Sequence, residues 1–205
     1  MFPLTLPQIQ KMDKTVAQDP KYGKEQEIIE QVIRRYPLNT DMVQIAMKVA
    51  VIDLTNSTQL SNYKSRISLY DICQIVLSID KFDERLAKGD PDLVKAIALG
   101  SKNFGGKDRG VNLFSFASKY CCYHNIYQYG RDDYSIFDNV VSDVLYQYST
   151  EKNPLKKRQP EKWRQNIQYK EYNDYIGALL DEYGITNNEQ GRRRMFDHFL
   201  WFANK

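Results

Sequence analysis

Two residues near the middle of this 205-residue chain carry side chains suited to chemistry at a polar surface: Lys119 and Asp138. Asp138 falls in the first turn of a predicted helix, where the helix dipole favours negative charge. It serves there either as an ordinary N-cap or as a positioned acid–base group. Lys119 lies four residues beyond Ser115, so it faces the same way one helical turn, about 5.4 Å, further along the axis. It is either a snorkelling surface lysine or an amine directed into a cleft. Between the two runs a polar, aromatic loop with Tyr127, Tyr129, Arg131, Asp132, Asp133 and Tyr134. Tyrosine presents a ring face with a polar tip, suited to stacking on bases and equally to half-buried helix seams.

Basic residues recur around this unit. Lys107, Arg109 and Arg131 flank it. Lys156, Lys157, Arg158, Lys162 and Arg164, with Trp163 among them, form the densest basic stretch, and Arg192, Arg193 and Arg194 a second. Such runs either track a phosphate backbone or coat a solvated face. Taken together, a nucleic-acid surface is the leading expectation.

The elements that must position these residues read as helices. Leu113, Phe116, Ala117, Tyr120 and Cys121 share one face at helical spacing. The turn before them, Gly110-Val111-Asn112, has residues tolerant of positive φ at both ends. Pro3, Pro7 and Pro20 suggest that residues 1–20 form a loose arm. Helices are predicted over Lys24–Tyr36 and from Asp41 through Val51, followed by a polar break, Leu54 to Leu60. Ser68 caps a helix carrying Leu69, Ile72, Cys73, Val76 and Ile79. A short helix follows at Lys81–Lys88, and Asp90-Pro91 starts another that stops at Gly100. Further helices are predicted from Asn166 to Tyr183 and from Thr186 or Asn187 onward. Strand-like alternation is nearly absent, and the fold class is all-α.

Composition narrows the setting. A formal net charge of +3 is too mild to demonstrate a polyanion partner, and Tyr, at 15 residues, is the unusual entry in an otherwise ordinary soluble composition. Three cysteines, an odd number without secretory spacing, favour a reducing, cytoplasmic location. The first residues lack signal-peptide character, and the apolar run from Val49 to Leu54 is too short to cross a membrane. Cys121, Cys122 and His124 lack a fourth ligand and read as buried residues rather than a metal site. No cofactor is expected. With only His124 and His198 present, a Ser–His or Cys–His pair has little material.

The order of these features resembles the helix-hairpin-helix DNA glycosylase (HhH-GPD) superfamily. Gly110-Val111-Asn112 is similar to its hairpin turn, Ser115-Phe116-Ala117-Ser118 to the opening of the following helix, and Ile136-Phe137-Asp138 to its hydrophobic–Asp step. Val51-Ile52-Asp53-Leu54-Thr55-Asn56-Ser57-Thr58 resembles the segment that inserts a side chain into DNA. The likeness covers residues 41–148. It implies a helical bundle in a two-lobe arrangement around a helix-hairpin-helix near 95–125, within a single domain whose residues 1–40 and 149–205 form the second lobe. It implies DNA as partner and excision of a flipped base.

On this resemblance Asp138 supports N-glycosidic cleavage, and Gly110 and Asn112 hold a phosphate. Asn56, Ser57 and Thr58 face the vacated stack, Lys107, Arg109 and Arg131 anchor the strand, and Tyr127, Tyr129 or Tyr134 stacks on the base. The family's hairpin lysine is missing: Phe114 or Ser115 occupies its place. Lys119 is the relocated candidate; without it, water would attack with help from Asp138. The iron–sulfur cluster of some members is excluded, since no cysteine follows Cys122. The competing reading is a non-catalytic helical module that binds nucleic acid or protein on the same scaffold.

Overall fold

The computed structural model describes residues 2–56, 58, 60, 66–104, 111–186 and 191–203. Among them are eleven α-helices and no strand: α1 (Leu6–Gln18), α2 (Tyr22–Arg35), α3 (Met42–Asn56), α4 (Leu69–Ser78), α5 (Phe82–Ala87), α6 (Asp92–Phe104), α7 (Phe114–Tyr129), α8 (Asn139–Val144), α9 (Gln159–Asn166), α10 (Tyr169–Glu182) and α11 (Arg192–Ala203). None of the described helices is long and apolar enough to cross a membrane.

The centre is α7. Phe114, Phe116, Ala117, Tyr120, Cys121, Cys122 and Tyr123 are all buried, together with Ser118, Lys119, His124 and Asn125. A helix buried on every side is enclosed by others, and α2, α3, α5 and α6 pack around it. The three cysteines are free thiols in this interior, and burial pushes each one's pKa up. One continuous cluster of buried side chains runs from Leu4 to Leu200. The chain ends meet, with α1 lying along α11.

Local chemistry explains most of the helix starts. Ser68 and Asp71 form a capping box at the head of α4, each side chain accepting from the other's backbone N–H. Asp90 accepts from Asp92 N at 2.9 Å through Oδ1, which launches α6 after Pro91.

Four expectations are corrected. Residues 6–18 are helical, because Pro7 falls in the first turn, where its missing N–H costs nothing. The supposed polar break begins late: Leu54, Thr55 and Asn56 form the last turn of α3, where Thr55 Oγ1 donates to Val51 O at 2.8 Å. Gly100 does not end α6; a Cβ there would come within 2.4 Å of Ile75 Cγ2, so it marks the close approach of α6 to α4. The helix expected from Asn166 to Tyr183 starts only at Tyr169, because the chain turns at Ile167, with φ 53°, after a separate helix, α9, whose first turn holds Pro160.

Candidate active site

Lys119 and Asp138 are brought together. Lys119 Nζ lies 3.5 Å from Asp138 Oδ2, and the two side chains keep only 7% and 15% of their exposure. Several contacts fix this geometry. Ser118, next to Lys119 on α7, accepts from Phe137 N at 3.0 Å through its Oγ, pinning the residue just before Asp138 to the same helix. The Phe114 and Phe137 rings meet edge to face at 5.0 Å. Asp138 then caps α8, its Oδ1 accepting from Val141 N at 3.1 Å, which leaves Oδ2 turned toward Lys119. The cap reading and the pairing with lysine therefore both hold, one on each carboxylate oxygen.

The end of α3 closes the third side. Lys119 Nζ also donates to Asn56 O at 3.0 Å. Asn56 Oδ1 in turn accepts from the Tyr123 hydroxyl, which sits one turn beyond Lys119 on α7. One of the carbonyls that the α3 terminus leaves without a helical partner is thus taken up by a lysine of the central helix, and a tyrosine of the same helix holds the side chain beside it.

Lys119, Asp138 and Asn56 line a cavity of about 340 Å³, a size suited to a small organic molecule. Its walls come from α1, α2, α3, α7, α8 with its cap Asp138, α9 and α11. Tyr22, Trp201 and Phe202 form an aromatic side, with Tyr22–Trp201 centroids 4.7 Å apart and Trp201–Phe202 centroids 5.3 Å apart. Asp197 and Arg194 form an ion pair on another side, and Arg194 lies over the Tyr123 ring at 4.9 Å. Burial raises the Asp197 pKa to about 6; Arg194 and Lys119 oppose this and the Asp138 charge reinforces it. The lining therefore carries both signs of charge: the carboxylates of Glu25, Asp138 and Asp197 and the cations of Lys21, Lys119, Arg164 and Arg194.

Other expected site residues fall into three groups. Asn112 and Thr58 do line the cavity. Asn112 lacks the left-handed φ expected of a phosphate-holding hairpin. Its side chain works instead, Oδ1 accepting from Phe114 N at 3.0 Å and Nδ2 donating to Arg164 O at 2.7 Å. Asn56 does not project outward, since Tyr123 holds its amide; Leu54, at 82% exposure on the cavity rim, is the side chain that does. Ser57, Lys107, Arg109 and Gly110 lie outside the described residues.

The tyrosines are corrected. Tyr134 is buried in the core, donating to Asp90 O at 3.0 Å. Tyr127 stacks on Tyr123 and donates to Gln26 Oε1, and Tyr129 donates to Asp83 O. None of the three lines the cavity. Arg131 is exposed, pairs with Asp133 at 2.6 Å and is also off the cavity. The Arg192–Arg194 run is internal wiring rather than a phosphate track. Arg192 bonds Asp181 and Ile185 O, Arg193 bonds Asp132, Ser135 and Asn173, and Arg194 bonds Asp197 and Tyr123. Lys156, Lys157, Arg158 and Lys162 are exposed. Among the described residues no group of three or more His, Cys, Asp or Glu is placed to hold a metal ion.

Asp197, Tyr22, Trp201 and Phe202 escaped the sequence reading. Tyr22 sits on α2 and the other three on α11, and only the packing of α1 against α11 and of α2 against α1 and α7 brings them to the cavity. The sole available signal was the apolar periodicity of α11, which marks a buried face without saying what shares it.

A family model named HI_0787_N, described as an N-terminal domain, matches residues 8–132 of the 205. The chain belongs to this family. An uncharacterized protein of Haemophilus influenzae (strain ATCC 51907 / DSM 11121 / KW20 / Rd) is 27% identical over 155 residues, covering 75% of this chain and 64% of that protein. The chain thus spans about 64% of the relative's length. No solved structure matches. The HI_0787_N match includes Asn56 and Lys119 and stops before Asp138 and α11.

Proposed function

We propose that the chain is a DNA glycosylase-like enzyme that receives an extruded base in this cavity and cleaves its N-glycosidic bond. The observation that carries the reading is the enclosed Lys119–Asp138 pair at 3.5 Å, set in a cavity with an aromatic side. An amine next to a carboxylate can pass its proton on and attack as a free nucleophile. The Nζ–C1′ bond forms as the C1′–N bond to the base breaks. The bonding electrons leave with the base, which takes up a proton, and the Asp138 carboxylate faces the positive charge that develops on the sugar. Tyr22, Trp201 or Phe202 supplies the stacking face in place of the loop tyrosines. Leu54 fills the gap in the duplex, since apolar wedges unstack bases effectively. The exposed lysines of residues 156–162 contact phosphates.

The test is single-turnover base release from duplexes carrying a panel of damaged or deaminated bases. The Asp138→Asn variant should lower release by roughly 10²–10⁴-fold, the range for a lost acid–base group, while DNA binding at low salt persists. Release unchanged in that variant would exclude the assigned role.

One observation favours a non-catalytic DNA-binding module instead: Lys119 Nζ is already held by Asn56 O and Asp138. On that reading the wild type binds duplex and releases no base from any member of the panel.

A further inference from the structure

His198 lies on α11 and lines the same cavity. Its Nδ1 is 2.7 Å from Oδ1 of Asp13, on α1. Burial pushes the Asp13 carboxyl up, but the hydrogen bond and charge of His198, with Arg194 beyond, bring it below its ordinary value. An ionised carboxylate can only accept, so Nδ1 carries the proton. Burial, helped by Arg194, pushes the imidazole pKa down to about 4 against the pull of Asp13, so the ring is neutral at pH 7. A neutral ring protonated on Nδ1 has a bare lone pair on Nε2.

That Nε2 is buried and has no hydrogen-bond partner among the described residues. Buried polar atoms are nearly always partnered, so an orphan calls for a reason. His124 Nε2, Gln128 Oε1 and Asp132 Oδ1 are also orphaned, yet none of these residues lines the cavity, whereas His198 does. Trp201 and Phe202 follow on the same helix and line it too. An unpartnered acceptor on a residue that lines a cavity together with aromatic side chains is half of a recognition site for a flat, hydrogen-bonding molecule.

We propose that His198, oriented by Asp13, accepts a hydrogen bond from a ring N–H of the base held in the cavity. The inference rests on the glycosylase reading and narrows its substrate class to bases that present such an N–H, with Asp13 as the positioning residue. A base whose ring nitrogen is methylated would leave Nε2 unpaired and place a methyl group against it, and recognition of this kind rejects the mismatched partner strongly.

The experiment uses the full chain with ¹⁵N-labelled histidine. The His198 nitrogens are followed by NMR during titration with 2′-deoxyinosine or 2′-deoxyuridine, then with their 1-methyl and 3-methyl counterparts. The free protein should show Nδ1 protonated and Nε2 bare. At least one parent nucleoside should move the Nε2 resonance, and its methylated form should bind at least about tenfold more weakly. His198→Phe should abolish the discrimination and Asp13→Asn should reduce it.

A protonated Nε2 in the free protein, an Nε2 resonance unmoved by either parent, or equal binding of parent and methylated forms would overturn the proposal. The two readings also fail separately. Nucleosides that move Nε2 while no duplex is cleaved leave the recognition site standing and remove the glycosylase. Cleavage of duplexes with no preference against the methylated base does the reverse.

Discussion

At the residue scale the cavity is governed by how burial treats its ionisable groups. Asp197 is pushed up to about 6 and His198 down to about 4, so each is biased toward its neutral form. Their effects on stability oppose one another. A carboxylate with a raised folded pKa makes the folded state bind more protons than the unfolded one, so its contribution is lost as pH rises from about 4 to 6. A histidine with a depressed folded pKa makes the unfolded state bind more protons, so its contribution is lost as pH falls from about 6.5 to 4. Urea titrations across pH 4–6.5 should therefore separate two variants. Relative to wild type, Asp197→Asn should gain stability as pH rises, and His198→Gln should lose it over the same interval. Parallel pH profiles for all three proteins would contradict this assignment.

Lys48 offers a similar test away from the cavity. It is fully buried and donates to Tyr36 O at 3.0 Å, Leu38 O at 2.8 Å and Asn39 Oδ1 at 2.8 Å. Burial pulls its pKa down to about 8 despite the Asp83 charge. The unfolded state then binds more protons above pH 8. Wild-type stability should rise from pH 8 to 10 relative to Lys48→Met, and a constant difference between the two proteins would show that the amine is not held this way. Nothing in the sequence marked this lysine: Val49 beside it and Ile45 below it belong to the same buried face.

At the element scale, the junction between α7 and α8 decides where Asp138 stands. Ser118→Ala removes the acceptor of Phe137 N in a buried setting, which costs about 1–3 kcal/mol. The expected result is a Tm lowered accordingly, and base release reduced more than the residual stability accounts for, since Asp138 is no longer pinned opposite Lys119. A variant with a lowered Tm and undiminished release would show that the junction serves folding alone.

Helix identity was largely legible because apolar spacing in α2, α3, α4 and α7 repeats at the helical period. The capping residues Ser68 and Asp90 were legible for the same local reason. What failed was punctuation. Pro7 has the pattern of a breaker, although in a first turn proline begins a helix. Gly100 was read as a stop, although tertiary contact with Ile75 required it. Arg192, Arg193 and Arg194 looked like a phosphate track because adjacency in sequence resembles a surface patch. Each is bound by different acceptors elsewhere in the fold, Ile185 O for Arg192, Asp132 for Arg193 and Asp197 for Arg194, and no local pattern encodes those partners.

At the scale of the whole molecule, the site is built from both ends of the chain. His198 and Asp13 are 185 positions apart, so their pairing follows from α1 lying along α11 and from nothing either helix displays alone. The middle of the chain was readable because Lys119 and Asp138 are separated by one helix and one loop. The aromatic side was not, since Tyr22, Trp201 and Phe202 meet only after the ends close. The exposed basic stretch is also a whole-molecule feature. If Lys156, Lys157 and Lys162 contact phosphates, replacing all three with Gln should weaken duplex binding regardless of sequence and flatten its salt dependence, by about one in logarithmic slope per lost contact. An unchanged slope would place the DNA elsewhere.

The measurement that bears most directly on the Lys119–Asp138 assignment is reductive trapping. Wild-type protein would be incubated with duplexes from the damaged-base panel in the presence of borohydride, and any cross-linked peptide identified by mass spectrometry. A covalent adduct on Lys119, absent in Lys119→Gln and greatly reduced in Asp138→Asn, is the predicted result. An adduct on any other residue, or base release that persists in Lys119→Gln with nothing trapped in the wild type, would contradict the amine's role.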